Sequence, residues 1–271
     1  MASRLSEAQA KRLIKLYEAA EQEILKEYNK ALLKGNDLKN LQALKNNVAA
    51  IRKDLLAGGR SWCEEAVSDI YQAALAEVDK GLATEVAFGA IHQQAMQVLA
   101  ENAYARLQDV DSVIGRRVDD VYRNLALEAV RGDVAGYQTW KQTAKRYREA
   151  LAEKGITGFK DAAGREWNLK SYTEMVARTT TRECKINGTA NRLLEHGQDL
   201  AEITGGTAKN TCDICRAWVG RIVSLTGKTP GYPTLDDARA AGLFHPRCTH
   251  NIATAARSKI LITVYARLEM A

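Results

Sequence analysis

The residues best suited to chemistry lie late in the chain: Cys212-Asp-Ile-Cys215 and, after residues 216–244, His245-Pro-Arg-Cys248-Thr-His250. A Cys-x-x-Cys loop sets two thiolates about one turn apart, ready for two corners of a tetrahedron, and a His-x-x-Cys knuckle can supply the other two. Thiolate and imidazole donors suit Zn²⁺, and four protein ligands close the coordination sphere, which makes such a site structural. The expected ligands are Cys212, Cys215, His245 and Cys248, with His250 able to replace His245. Turn residues accompany both knuckles: Asn210-Thr211 before the first and Pro246 inside the second. Two other readings of the spacing stay open. One is a redox dithiol, which needs a strand–helix junction in a βαβ setting. The other is thiols that simply pack.

Other chemistry has less support. Asp213 lies inside the first knuckle, where local amides are its natural partners. Asp236 and Asp237 read as helix-start residues after Thr234. Gly205-Gly206 is followed by no Gly-Lys-Ser/Thr, so it makes no phosphate loop. A nuclease of the HNH type wants an Asp-His pair, and no histidine here follows an aspartate. An enzyme is not expected, nor is a small-molecule substrate.

The elements that must position these knuckles follow from composition. The chain has 271 residues, 46% hydrophobic and 27% charged, so a folded globular protein is expected. Aromatic residues make up only 6%, which disfavours an all-β sandwich or barrel. No stretch approaches the roughly 20 apolar residues of a membrane span, and Met-Ala-Ser-Arg-Leu-Ser-Glu at the start does not read as a secretory signal. The five cysteines are an odd number, which argues against a disulfide framework; Cys63 and Cys184 read as packing residues, as does His92. All three prolines, Pro230, Pro233 and Pro246, fall late, so helices can run unbroken before them.

Apolar residues at helical spacing predict a helix from about Ser6 to Gly35, then helices over 38–56, 61–80, 84–108, 112–131 and 134–153. Gly58-Gly59 and Gly132-Asp133 read as stops. After Gly155 the texture changes. A hairpin is expected around Asp161-Ala-Ala-Gly164, a helix from Asn168 to about Leu194, and strands at Leu200–Thr204 and Arg221–Leu225. A short helix opens at Thr234 and stops at Gly242, and the run after Asn251 suits a terminal strand or helix. The expected fold is thus a mainly α N-terminal helical region, 1–154, followed by a small α+β zinc-stapled module, 155–271. Charge follows the same division. Residues 1–150 carry 22 basic against 21 acidic side chains, and residues 151–271 carry 17 against 12. Arg178, Arg182 and Lys185 fall on one predicted helix face that could track a phosphate backbone.

Several ordered motifs carry a family resemblance. They are Trp167-Asn-Leu-Lys-Ser-Tyr172-Thr-Glu-Met-Val176-Ala-Arg178-Thr179, Gly197-Gln-Asp-Leu200, and Trp218-Val-Gly220-Arg-Ile-Val-Ser224 beside the first knuckle. Tyr232-Pro-Thr-Leu235-Asp-Asp-Ala238 and Gly242-Leu-Phe-His245 lead into the second knuckle. Over residues 155–252 the chain resembles the tailed-phage minor capsid protein 2 family and is similar to the Mu F-like head-morphogenesis domain. The resemblance implies a virion protein inside the capsid at the portal vertex, made in the host cytoplasm. It implies partnership with the portal protein and other head proteins, and a part in head assembly and in packaging or delivery of DNA. A zinc-stapled nucleic-acid-binding or nuclease-like protein is the alternative expectation.

Overall fold

Apolar side chains three and four residues apart organise the first half of the chain into three long helices. The computed structural model describes residues 2–34, 38–135, 159–160, 166–209, 211–246 and 248–255. Helix α1 (Ala2–Lys34) buries Leu13, Tyr17, Ala20, Ile24, Tyr28 and Ala31 along one stripe. Helix α2 (Leu38–Leu82) buries Leu41, Leu44, Val48, Leu55, Trp62, Ile70 and Tyr71, and α3 (Ala90–Ala135) buries Leu107, Val110, Ile114 and Val118.

Three expected helix breaks are absent. Gly58-Gly59 lies inside α2, because these glycines serve packing rather than termination. A Cβ on Gly58 would lie 3.1 Å from Leu16 Cδ2, and one on Gly59 would lie 3.1 Å from Leu107 Cδ1. The bare backbone lets neighbouring helices close up, which offsets the roughly 1 kcal/mol that a mid-helix glycine costs. The expected gap between residues 108 and 112 is likewise helical. There Asp111 accepts two hydrogen bonds from Arg52, at 2.8 Å from Nε and 2.7 Å from Nη2. The aspartate therefore does not compete for its own backbone. Gly115, one turn on, leaves room for the guanidinium, which would lie 2.5 Å from a Cβ. Helix α3 also continues past Gly132-Asp133 to Ala135, and the expected helix over 134–153 falls mostly outside the described residues.

The second half matches its reading more closely. Strands β1 (Phe159–Lys160) and β2 (Glu166–Trp167) pair antiparallel, Phe159 opposite Trp167; the expected turn at 161–164 lies outside the described residues. Helix α4 (Leu169–Glu195) follows, then β3 (Leu200–Thr204), α5 (Asp213–Trp218), β4 (Ile222–Ser224), α6 (Leu235–Ala240) and β5 (Asn251–Thr254). The three-stranded antiparallel sheet has the order β4-β3-β5, with Ala201 opposite both Val223 and Thr254. Thr234 caps α6 in a reciprocal capping box with Asp237.

The chain forms two compact units. One gathers Glu64–Ala100 with the described residues of 1–9 and 178–271, and the other gathers Ala10–Cys63 with the described residues of 101–177. Around the sheet of the first unit pack Val78, Ile186, Leu193, Ile203, Val223, Leu235, Leu243 and Ile252. Beside this core runs a buried polar network. His92, expected on an apolar face, is fully buried, but its ring lies between Tyr71 Oη at 3.1 Å and Glu195 Oε2 at 2.8 Å. Tyr71 accepts from Asn191 at 2.7 Å, so its own proton can go to His92 Nδ1, leaving Nε2–H for Glu195. Arg192 bridges Glu195 at 2.8 Å and Asp79 at 2.7 Å, and Asp79 also meets His196 at 2.8 Å. Burial pushes the Glu195 carboxyl up, but hydrogen bonds from Arg192 and His92 outweigh it and hold the group below the usual carboxylate range.

Candidate metal centre

The first knuckle is the start of a helix. Cys212 is the N-cap of α5, with φ −64° and ψ 154°, and its Sγ accepts from the Cys215 amide at 3.4 Å. One helical turn then sets the Cys215 thiol beside that of Cys212, with Cys215 buried and Cys212 exposed. The Cys215 amide and thiol, with His245 adding to them, bring the Cys212 thiol down to about 7. Burial, together with the neighbouring Cys212 and Cys248 thiols, pushes Cys215 up to about 12. A bound cation reverses that second effect, because coordination deprotonates a thiol outright.

The second knuckle is a tight turn whose Cys248 amide donates to the His245 carbonyl at 2.9 Å. His245 Nδ1 lies 2.8 Å from the Pro246 carbonyl, so it carries the proton and leaves the Nε2 lone pair available. That Nε2 sits 3.4 Å from both Cys212 Sγ and Cys215 Sγ. Cys248 Sγ lies 3.6 Å from Cys215 Sγ and 3.3 Å from His250 Nδ1. His250 is fixed in the opposite tautomer, its Nε2 3.1 Å from the Gly206 carbonyl. Gly205, at φ +152°, backs the ring so closely that a Cβ there would lie 2.3 Å from His250 Cδ2.

The structure therefore brings together all five sequence-predicted ligands, as two groups of three that share Cys215: Cys212, Cys215 and His245, and Cys215, Cys248 and His250. The edges of a tetrahedral sulfur–nitrogen site measure about 3.5–3.8 Å, from metal–ligand bonds of about 2.0–2.3 Å. The donor separations here fall near that range, and both imidazoles turn an unprotonated nitrogen toward a thiol. The cluster can hold a metal ion.

Arg178, Arg182 and Lys185 are each engaged within the protein. Arg178 pairs with Glu7 at 3.2 Å and Lys185 with Glu77 at 3.5 Å. Arg182 turns inward: it is 7% exposed and donates to the carbonyls of Phe244, His245 and Cys248 at 2.7, 2.8 and 2.8 Å. The three side chains also line a surface recess of about 160 Å³ beside Cys248. Contact between Arg182 and the second knuckle was not anticipated from the sequence. One signal pointed to it: Thr179, Lys185, Arg178 and Ile186, three and four residues away, include no acid to offset its charge.

Comparison with known families bears on this same region. The family model for phage minor capsid protein 2 matches residues 2–255. The chain belongs to the phage minor capsid protein 2 family. The match takes in the N-terminal helices as well as the stretch over 155–252 that carries the sequence resemblance. No curated protein and no solved structure matches the chain. As a phage minor capsid protein it is a structural component of the virion, where its partners are other phage head proteins. Among the described residues, no helix is long and apolar enough to cross a membrane.

Proposed function

We propose that this minor capsid protein acts at the portal vertex inside the head, as a non-enzymatic component that aids head assembly and the packaging or delivery of DNA. The family match over residues 2–255 carries this reading. A single Zn²⁺, held by Cys212, Cys215, Cys248 and His245, with His250 as the alternative to His245, staples the C-terminal module. The tautomers of the two histidines and the three neighbouring thiols support that ligand set. The ion's part is structural: it supplies a cross-link between the two knuckles in a small, turn-rich module.

In the same reading, residues 1–154 dock on the portal or on neighbouring head proteins. The exposed Phe88, Ile91 and Val98, at the start of α3 and just before it, support this assignment. Cross-linking of purified heads, read by mass spectrometry, tests the proposal. Links from residues 1–154 to the portal protein are expected, together with poorly filled heads when the gene is removed. Absence of the protein from purified heads, or links to tail proteins alone, would overturn it.

A further inference from the structure

The guanidinium of Arg182 meets three carbonyls of one short turn, those of Phe244, His245 and Cys248. The first two belong to the peptide planes on either side of His245, and the third to the plane that follows Cys248. The plane preceding Cys248 is held as well, through its amide to the His245 carbonyl at 2.9 Å. Every peptide plane flanking the two ligands of this knuckle is thus fixed by a hydrogen bond.

The backbone at this point needs holding. Phe244 has φ +62°, a left-handed conformation that a bulky residue adopts only when its surroundings impose it. Its carbonyl makes the shortest of the Arg182 contacts, at 2.7 Å. The charge also has a purpose there. Three thiolates around a divalent ion leave the site with net negative charge, and the buried guanidinium is a single backbone carbonyl away from Cys248.

We propose that Arg182 is a positioning residue for the metal centre: it shapes the His245–Cys248 turn into a metal-binding half-site, so that affinity depends on a side chain outside the ligand set. This rests on the metal-binding reading of the cluster. A lysine cannot replace the arginine fully, because an ammonium keeps the charge but not the planar fork that reaches several carbonyls at once.

Titration of the full chain with Co²⁺, followed by its thiolate charge-transfer and ligand-field bands, tests the assignment. Arg182→Gln is expected to bind Co²⁺ about 10–100-fold more weakly, the usual effect of losing an outer partner of a ligand. Its charge-transfer band should weaken as Cys248 leaves the ligand set. Arg182→Lys should fall between Gln and the wild type. Ile70→Ala, which opens a separate buried cluster around Cys184 that contains none of the candidate ligands, should lower stability and leave affinity within about twofold. Affinity in Arg182→Gln within twofold of the wild type would overturn the proposal, as would an equal loss in Ile70→Ala. If Arg182→Gln does not fold, Arg182→Lys decides, and wild-type affinity and spectrum in that variant overturn the proposal. A wild-type chain that gives no tetrahedral Co²⁺ spectrum would refute the metal reading itself.

Discussion

In the unit built on Ala10–Cys63, helices meet through size. Gly58 and Gly59 admit Leu16 and Leu107, and Tyr17, Ile24, Leu41 and Trp62 fill the interior, with Arg52–Asp111 and the more exposed Arg60–Glu101 as two-point polar ties. In the unit built on Glu64–Ala100, contacts are directional. Arg182 gathers three carbonyls, Arg192 spans two carboxylates, and four other sulfur and nitrogen donors crowd around Cys215. A hydrocarbon interface loses stability in proportion to the volume removed and can partly relax. A satisfied polar network cannot, because removing one member leaves its partners buried and unpaired. The second unit should therefore be the more fragile to single changes, and the more exacting in geometry.

The largest effect expected is loss of the metal. Cys215→Ser with Cys248→Ser should take zinc from about one equivalent per chain to none, removing stabilisation on the order of 10 kcal/mol. Limited proteolysis should then cut within residues 196–255 first. Next comes Arg192→Met, which leaves the buried Asp79 and the half-buried Glu195 without their guanidinium. Urea unfolding should show a loss of about 3–5 kcal/mol. In the other unit, Gly59→Val should cost about 1–3 kcal/mol by overpacking against Leu107, with helical circular dichroism retained. If Gly59→Val proves costlier than Arg192→Met, the contrast between the units fails.

The smallest effect sharpens the comparison through pH. Burial raises the Asp199 carboxyl, but hydrogen bonds from Ser224, Thr226 and Thr229 prevail and hold it well below the usual range. A depressed carboxyl stabilises the fold fully above its unfolded value of about 4, and loses that contribution as pH falls toward its folded value. The stability gap between wild type and Asp199→Asn should thus be widest near neutrality and close below about pH 4. A gap that widens in acid would contradict the assignment.

What could be read from the sequence follows the range of the interactions. Local signals were legible: the Thr234 cap, the strands at 200–204 and 222–224, helix α4 and the spacing of both knuckles. Distant partners were not. Gly58-Gly59 looks like a stop until Leu16 and Leu107 stand against it, and the gap expected between 108 and 112 is helical where Arg52 takes both oxygens of Asp111. Arg182 looked like part of a cationic face because its acceptors lie more than sixty residues away, in a turn whose carbonyls carry no sequence signature. His92 was correctly placed inside, but its polar neighbours Tyr71 and Glu195 come from two other helices.

The central claim is a metal centre built by the two knuckles. X-ray absorption at the zinc edge on the purified full-length chain tests it most directly. Three sulfur ligands at about 2.3 Å and one nitrogen at about 2.0–2.1 Å are expected. A folded chain without zinc, or zinc surrounded by oxygen ligands alone, would contradict the account.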